Sequence, residues 1–118
     1  VVFTPEGKPF MTCGAPGGIN IYPCIAQVIV NTIDYGMNVD EALNTPRIAA
    51  RGNEINYSIE FSAETLDELK ALGHEVFTEA HAIGFPTAIM YMEDGTLQGS
   101  AEDHSSISKY SDGVALGF

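Results

Sequence analysis

The sequence predicts an α+β fold, in which strands form sheets and helices pack on their faces. Three observations lead there. Short β-branched and aromatic runs bounded by Pro and Gly occur near both ends of the chain. Between them lies a helical segment that is apolar over most of its circumference. Shorter segments with helix-capping residues follow it, so strands and helices are grouped in layers rather than alternating as βαβ units. With 118 residues, the chain is expected to be one domain, 1–118, able to bury roughly two-thirds of its unfolded surface.

The elements follow in order. Residues 1–3 and 9–13 read as strands, and Thr4-Pro5-Glu6-Gly7-Lys8 as the turn that makes them a hairpin. Gly14-Ala15-Pro16-Gly17-Gly18 is a glycine-rich loop. The pattern predicts a helix over 24–35, with Pro23 in its first turn, where a missing N–H costs nothing. Ile25, Val28, Ile29, Val30 and Ile33 leave only Gln27, Asn31 and Asp34 as a polar stripe, so the helix should be covered on more than one side. Gly36 is its stop.

Asn38 caps a second helix, with Asp40 and Glu41 in its first turn. It should end at Asn44-Thr45, because Pro46 excludes the α region for the residue before it. Residues 47–50 and 53–58 read as strands around Gly52. Ser62 caps a third helix, 63–72, with Leu66 and Leu69 on one face and Gly73 at its end. Strands follow at 75–78, 87–92 and 96–100, the last two joined by Glu93-Asp94-Gly95. From Ala101 onward the tail reads as polar. A chain that opens directly on Val1-Val2-Phe3 reads as a piece of a longer one.

Composition narrows the function. Sixteen acidic residues against five basic ones give a net charge of −11, which repels phosphate backbones and excludes a nucleic-acid role. Anionic lipid is disfavoured for the same reason. Cys13 and Cys24 form no C-x-x-C, and three scattered histidines have no zinc spacing, so no metal and no cofactor is expected.

The loop 14–18 is the stretch best suited to chemistry. Consecutive glycines let successive N–H groups converge on one point, and a following helix N-terminus adds positive potential. Such a nest holds an anion or stabilises an oxyanion. The competing reading is a tight strand-to-helix turn with no ligand. No Lys-Ser/Thr follows, so it is not a phosphate-binding P-loop, and Gly14, Gly17 and Gly18 do not fit G-x-G-x-x-G. Asp103-His104-Ser105-Ser106 holds the letters of a triad, but triad members normally come from separate elements, and a polar loop explains it better. His74 and His81 read as a strand-edge and a loop residue, Cys13 as a strand residue and Cys24 as core. Asn56-Tyr57-Ser58 is formally a glycosylation sequon.

Longer stretches carry a resemblance. Lys8-Pro9-Phe10-Met11-Thr12-Cys13 leads into the glycine loop 14–18. Gln27-Val28-Ile29-Val30-Asn31-Thr32-Ile33-Asp34-Tyr35-Gly36-Met37-Asn38 follows, then Glu41-Ala42 and Thr45-Pro46-Arg47. Phe61-Ser62, Leu72-Gly73-His74, Ile83-Gly84, Ala88-Ile89 and Asp94-Gly95 with Gly99 complete the series. In order and spacing, across essentially the whole chain, this resembles the C-terminal part of the small subunit of γ-glutamyltransferases (γ-glutamyltranspeptidases).

The resemblance implies a truncated piece of an αββα N-terminal-nucleophile hydrolase. In that family a precursor cleaves itself, and the new N-terminal threonine attacks the γ-glutamyl amide of glutathione or a similar compound. Water, an amino acid or a peptide then resolves the acyl-enzyme, without metal or organic cofactor. The two glycines of the family's P-G-G, which map onto Gly17 and Gly18, supply oxyanion-hole amides. The nucleophile, the ligands for the γ-glutamyl amino and carboxylate groups and a Ser-Ser pair would lie upstream of Val1. The family's D-P-R is altered here, with Glu102-Asp103-His104 nearby. The implied partner is therefore the remainder of the parent enzyme, the large subunit and the N-terminal part of the small one. The isolated chain should be inactive and should self-associate, and family analogy points to a periplasmic, secreted or surface-anchored protein. Two other readings remain: a stand-alone acidic α+β module binding a small anion at its glycine loop, and an interaction protein whose apolar helix docks on a partner sheet.

Overall fold

The computed structural model of the chain describes residues 1–58, 61–77 and 82–102. Strands β1 (Val2–Phe3) and β2 (Pro9–Gly14) form the expected hairpin, closed by a bond from the Thr4 N–H to the Lys8 carbonyl at 2.8 Å. Helix α1 (Ile21–Ile33) and helix α2 (Val39–Asn44) follow, then strands β3 (Ile48–Arg51) and β4 (Glu54–Tyr57). Helix α3 (Ala63–Ala71), strand β5 (Glu75–Val76) and the hairpin of β6 (Thr87–Tyr91) and β7 (Leu97–Ala101) complete the described elements.

The caps behave as their residues dictate. Asn38 and Glu41 form a reciprocal capping box at α2, each side chain accepting the other's backbone N–H at 3.0 Å. Thr45 is extended, as a residue before proline must be. Ser62 accepts the Thr65 N–H at 3.1 Å at the start of α3. In the β6–β7 turn, Asp94 accepts from the Thr96 hydroxyl at 2.6 Å and from its N–H at 2.9 Å, which holds the Asp94 carboxyl below its ordinary range.

Long-range pairing builds two sheets. The free edge of β2 takes β6, with Thr12 opposite Ile89, Cys13 opposite Ala88 and Gly14 opposite Thr87. The order β1-β2-β6-β7 is antiparallel throughout. The second sheet, β3-β4-β5, joins an antiparallel to a parallel pair. Helices α1 and α2 pack against the first sheet over a core of Met11, Val28, Val39, Ala42, Leu43 and Ala88. A second cluster, Cys24, Ala49 and Ile83, lies beneath the glycine loop with Ala15 against it.

Three expectations need correction. Helix α1 begins at Ile21 rather than 24, because a 3₁₀ turn at Gly18–Asn20 already directs the chain along its axis. It is also not covered all round: Cys24, Val28, Asn31 and Thr32 are buried, but Val30 and Asp34 are exposed. Gln27 and Asn31 face inward, whereas Tyr22 and Ile33 are 82% and 53% exposed. The reason is backbone chemistry: the Gln27 amide donates to the Ile48 carbonyl at 2.8 Å and accepts the Ile48 N–H at 3.1 Å, completing an otherwise unpaired start of β3. Finally, the polar tail does not start at Ala101, which ends β7, and Glu102 is buried. Asn56 is buried with its amide turned toward the Ala49 carbonyl, so the folded chain cannot accept a glycan there. Thr78, His81 and Asp103-His104-Ser105-Ser106 lie outside the described residues.

Leu43 is fully buried where α2 meets the sheet, so Leu43→Ala should destabilise the folded protein by about 2–5 kcal/mol, whereas Leu72→Ala, at an exposed site, should stay within about 0.5 kcal/mol. Chemical denaturation compares the two, and equal losses would contradict this placement of the core.

Candidate functional site

The glycine loop leaves the sheet where Gly14 ends β2 and enters α1 through the 3₁₀ turn. Gly17 has φ +145° and Gly18 φ +59°, both in the region that L side chains rarely adopt. The two glycines face different surroundings. A Cβ on Gly17 would lie 3.0 Å from the Gly84 Cα, whereas one on Gly18 would meet nothing within 4 Å. Gly17 is thus the packed residue and Gly18 the open one. Among the described residues, no backbone or side-chain acceptor takes the N–H of either. Those N–H groups belong to the unsatisfied donors that precede a helix, at its positive end.

Residues 82–86 form the seat of this loop. The Phe85 N–H donates to the Pro16 carbonyl at 3.2 Å, and the Asn20 side-chain amide donates to the Ala82 carbonyl at 3.2 Å. Gly84, φ +74°, is wedged in turn against α1: a Cβ there would lie 2.8 Å from the Cys24 Sγ. Gly17, Gly84 and Cys24 are therefore stacked with no spare room. The Arg51 guanidinium lies 3.4 Å from the Asn20 Oδ1 at the edge of the same region.

Beneath the seat, Arg47 is 1% exposed. Its Nη2 pairs with the Glu102 carboxylate, its Nη1 with the Leu43 carbonyl and, at 3.3 Å, the Thr45 carbonyl, and its Nε donates to the Ile83 carbonyl at 3.3 Å. The Glu102 N–H donates to the Pro86 carbonyl at 3.1 Å.

The thiols are placed as core residues rather than nucleophiles. Burial pushes the Cys24 thiol up to about 11, against a smaller lowering by the Arg47 charge and smaller raising effects of Glu102 and Cys13. Burial also raises Cys13 on β2, opposed by the N-terminal amino group. His74 is exposed beside β5. Among the described residues, no group of three or more His, Cys, Asp or Glu is placed to hold a metal ion, and no helix is long and apolar enough to cross a membrane.

The structure thus brings Gly17 and Gly18 together with Gly84, Arg47 and Glu102, which the sequence reading left without roles. Two signals pointed to them. Arg47 is one of only five basic residues in a strongly acidic chain, and Gly84 interrupts an apolar run between Ile83 and Phe85.

Comparison with known proteins defines the class first. The mixed α/β structure matches the N-terminal-nucleophile-hydrolase-like fold of solved γ-glutamyltranspeptidases. The Pseudomonas nitroreducens enzyme complexed with L-DON superposes with a TM-score of 0.82 at 23% identity, over 100% of this chain and 60% of that one. A mutant of the Helicobacter pylori enzyme gives 0.76 at 30% identity, over 86% of this chain and 57% of that one. Residues 1–110 match the family model described as gamma-glutamyltranspeptidase, and the chain belongs to that family. The Escherichia coli K12 glutathione hydrolase proenzyme is 38% identical over 102 residues, 85% of this chain. The acylase ACY 1 proenzyme of Pseudomonas sp. strain V22 is 34% identical over 96 residues, 81% of this chain. The chain spans 17% of the length of each of these two proenzymes.

With the Cys24 thiol held near 11, roughly one molecule in a thousand carries a thiolate there at pH 8. The shift is upward, so the neutral form that suits the core persists as pH rises past 9.0 and is lost only toward 11. Alkylation of Cys24 in the folded protein should therefore be far slower than that of a free thiol at pH 8 and should accelerate steeply above pH 9.0. Mass spectrometry of the labelled peptide reads both rates, and fast labelling at pH 8 would contradict the buried placement.

Proposed function

We propose that these 118 residues are the C-terminal part of the small subunit of an enzyme that cleaves γ-glutamyl amides, and that Gly17 and Gly18 donate its oxyanion-hole amides. The observation that carries the reading is the loop itself. Among the described residues its two glycine N–H groups take no acceptor ahead of α1, open space lies over Gly18, and the resemblance maps both glycines onto the family's P-G-G. The relative named glutathione hydrolase supports the γ-glutamyl substrate class.

In this reading the nucleophilic threonine lies outside the 118 residues, in the rest of the parent. Its oxygen attacks the γ-carbonyl carbon, and the carbonyl π pair moves onto oxygen. The Gly17 and Gly18 N–H groups stabilise that charge. The intermediate then collapses, the amine leaves with a proton, and water or an amine acceptor resolves the ester that remains. By family analogy the parent works outside the cytoplasm, as a periplasmic, secreted or surface-anchored protein.

The acylase relatives favour a second reading, in which the same amide pair serves an acyl group other than γ-glutamyl. Parallel assays of the full-length protein with a γ-glutamyl anilide and a cephalosporin-type amide distinguish the two. Family membership weighs against the stand-alone anion-binding module, which needs no catalytic partner.

Gly18→Ala tests the oxyanion role, because the open space there avoids a clash and leaves the cost of positive φ, about 1–2 kcal/mol, as the main disturbance. In the full-length, processed protein it should lower kcat by roughly tenfold or more, toward the ~10²–10³-fold that loss of one oxyanion donor costs, with a smaller effect on KM. A folded, processed Gly18→Ala enzyme with unchanged kcat would remove the role and leave the glycines as a tight turn. The isolated 118-residue chain should show no turnover of a γ-glutamyl anilide. It should also self-associate through exposed residues such as Phe3, Tyr22 and Ile33, and light scattering showing a clean monomer at high concentration would contradict that.

A further inference from the structure

We propose that the buried Arg47–Glu102 pair is a positioning device for the Gly17–Gly18 amides, acting through residues 82–86. The inference rests on the oxyanion reading above for its chemical consequence, but its mechanical part stands on contacts alone.

The contacts form two grips in series. The first holds 82–86 from below: the Arg47 Nε donates to the Ile83 carbonyl at 3.3 Å, and the Glu102 N–H donates to the Pro86 carbonyl at 3.1 Å. Because Arg47 and Glu102 also pair with each other, the two anchors are joined into one frame. The second grip holds the glycine loop from 82–86. It consists of the Phe85–Pro16 and Asn20–Ala82 hydrogen bonds, each 3.2 Å, beside an approach of Gly84 to Gly17 too close to leave easy room for a Cβ on Gly17. Cys24 also packs closely on Gly84, where a Cβ would lie 2.8 Å from its Sγ, so 82–86 has little room to shift toward α1 and its displacement is passed to the glycine loop.

Residues 82–86 contain neither strand nor helix. No ladder of their own sets their position, and the guanidinium fork supplies what a ladder would. An Arg is suited to this because its planar donors have fixed mutual directions, whereas a Lys ammonium is a point charge on a flexible stem. A buried ion pair adds little net stability compared with apolar residues of the same size, so geometry is the better account of its presence.

The test uses Glu102→Gln and Arg47→Lys in the full-length, processed protein. Glu102→Gln keeps the shape and removes the charge, and Arg47→Lys keeps the charge and removes the fork. For each, kcat per processed enzyme, KM, thermal midpoint and hydrogen exchange of segments 14–20 and 82–86 are measured. The expected result is faster exchange in both segments and a kcat lowered by about 10- to 100-fold, with KM held within about twofold, as follows when donors are displaced by a fraction of an ångström to an ångström. A merely structural pair would lower the thermal midpoint while kcat stays within about twofold, and that result would overturn the proposal, as would loosening of 82–86 without 14–20.

If neither variant folds, the unmodified full-length protein decides the matter. Segments 14–20 and 82–86 should lose protection together as denaturant is raised, and separate opening would overturn the proposal. The exchange measurements do not depend on substrate. An unmodified enzyme inert toward γ-glutamyl compounds would defeat the γ-glutamyl reading, while coupled or uncoupled opening would still decide the positioning.

Discussion

The burial of the Arg47 guanidinium is the constraint around which the rest of the chain is arranged. A charge removed from water must be matched by a counter-charge and by acceptors for its remaining donors, or the fold loses several kcal/mol. Here the acceptors come from three stretches of chain: the end of α2 at Leu43 and Thr45, the loop at Ile83, and Glu102 just beyond β7. The carbonyls at the end of α2 are groups the helix itself cannot satisfy, so the guanidinium also serves as that helix's C-terminal partner. Ser58 closes the arrangement by exchanging hydrogen bonds with the Arg47 backbone, its hydroxyl accepting and its N–H donating, both at 2.9 Å. The two sheets, the short helix and the candidate site therefore meet at one side chain.

Above that hub the limiting factor is space rather than charge. Gly17, Gly84 and Cys24 are layered so closely that a methyl group at either glycine would collide with the next layer. Small residues let two loops and a helix approach within van der Waals distance, and that approach holds the N–H groups of Gly17 and Gly18 clear of any acceptor within the described residues. Both glycines are exposed, and their positive φ is a local strain that only glycine accepts cheaply.

Helix α1 shows where reading polarity from a sequence fails. Its apolar residues occupy most of the circumference, which predicts a helix covered on more than one side. In fact Gln27 is needed inside, where its amide completes the backbone bonding of Ile48, and this turns Tyr22, Val30 and Ile33 outward. Side-chain hydropathy cannot reveal this, because the demand comes from an unpaired backbone group on a strand more than a dozen residues away.

By itself the sequence determined what depends on residues a few positions apart. The two hairpins, the Asn38–Glu41 capping box, the Ser62 cap, the extended Thr45 before Pro46 and the glycine loop all arise from local sterics and local donors. The family motif at Gly17 and Gly18 was legible for the same reason, since a positive φ is a property of single residues. Only the tertiary structure decided that β2 pairs with β6, that Gln27 faces inward, that Gly84 seats Gly17, and that Arg47 finds Glu102. Each of these joins groups distant in sequence. Their partners are selected by the need to satisfy buried donors and fill space at once, a condition that exists only after the sheets and helices have come together.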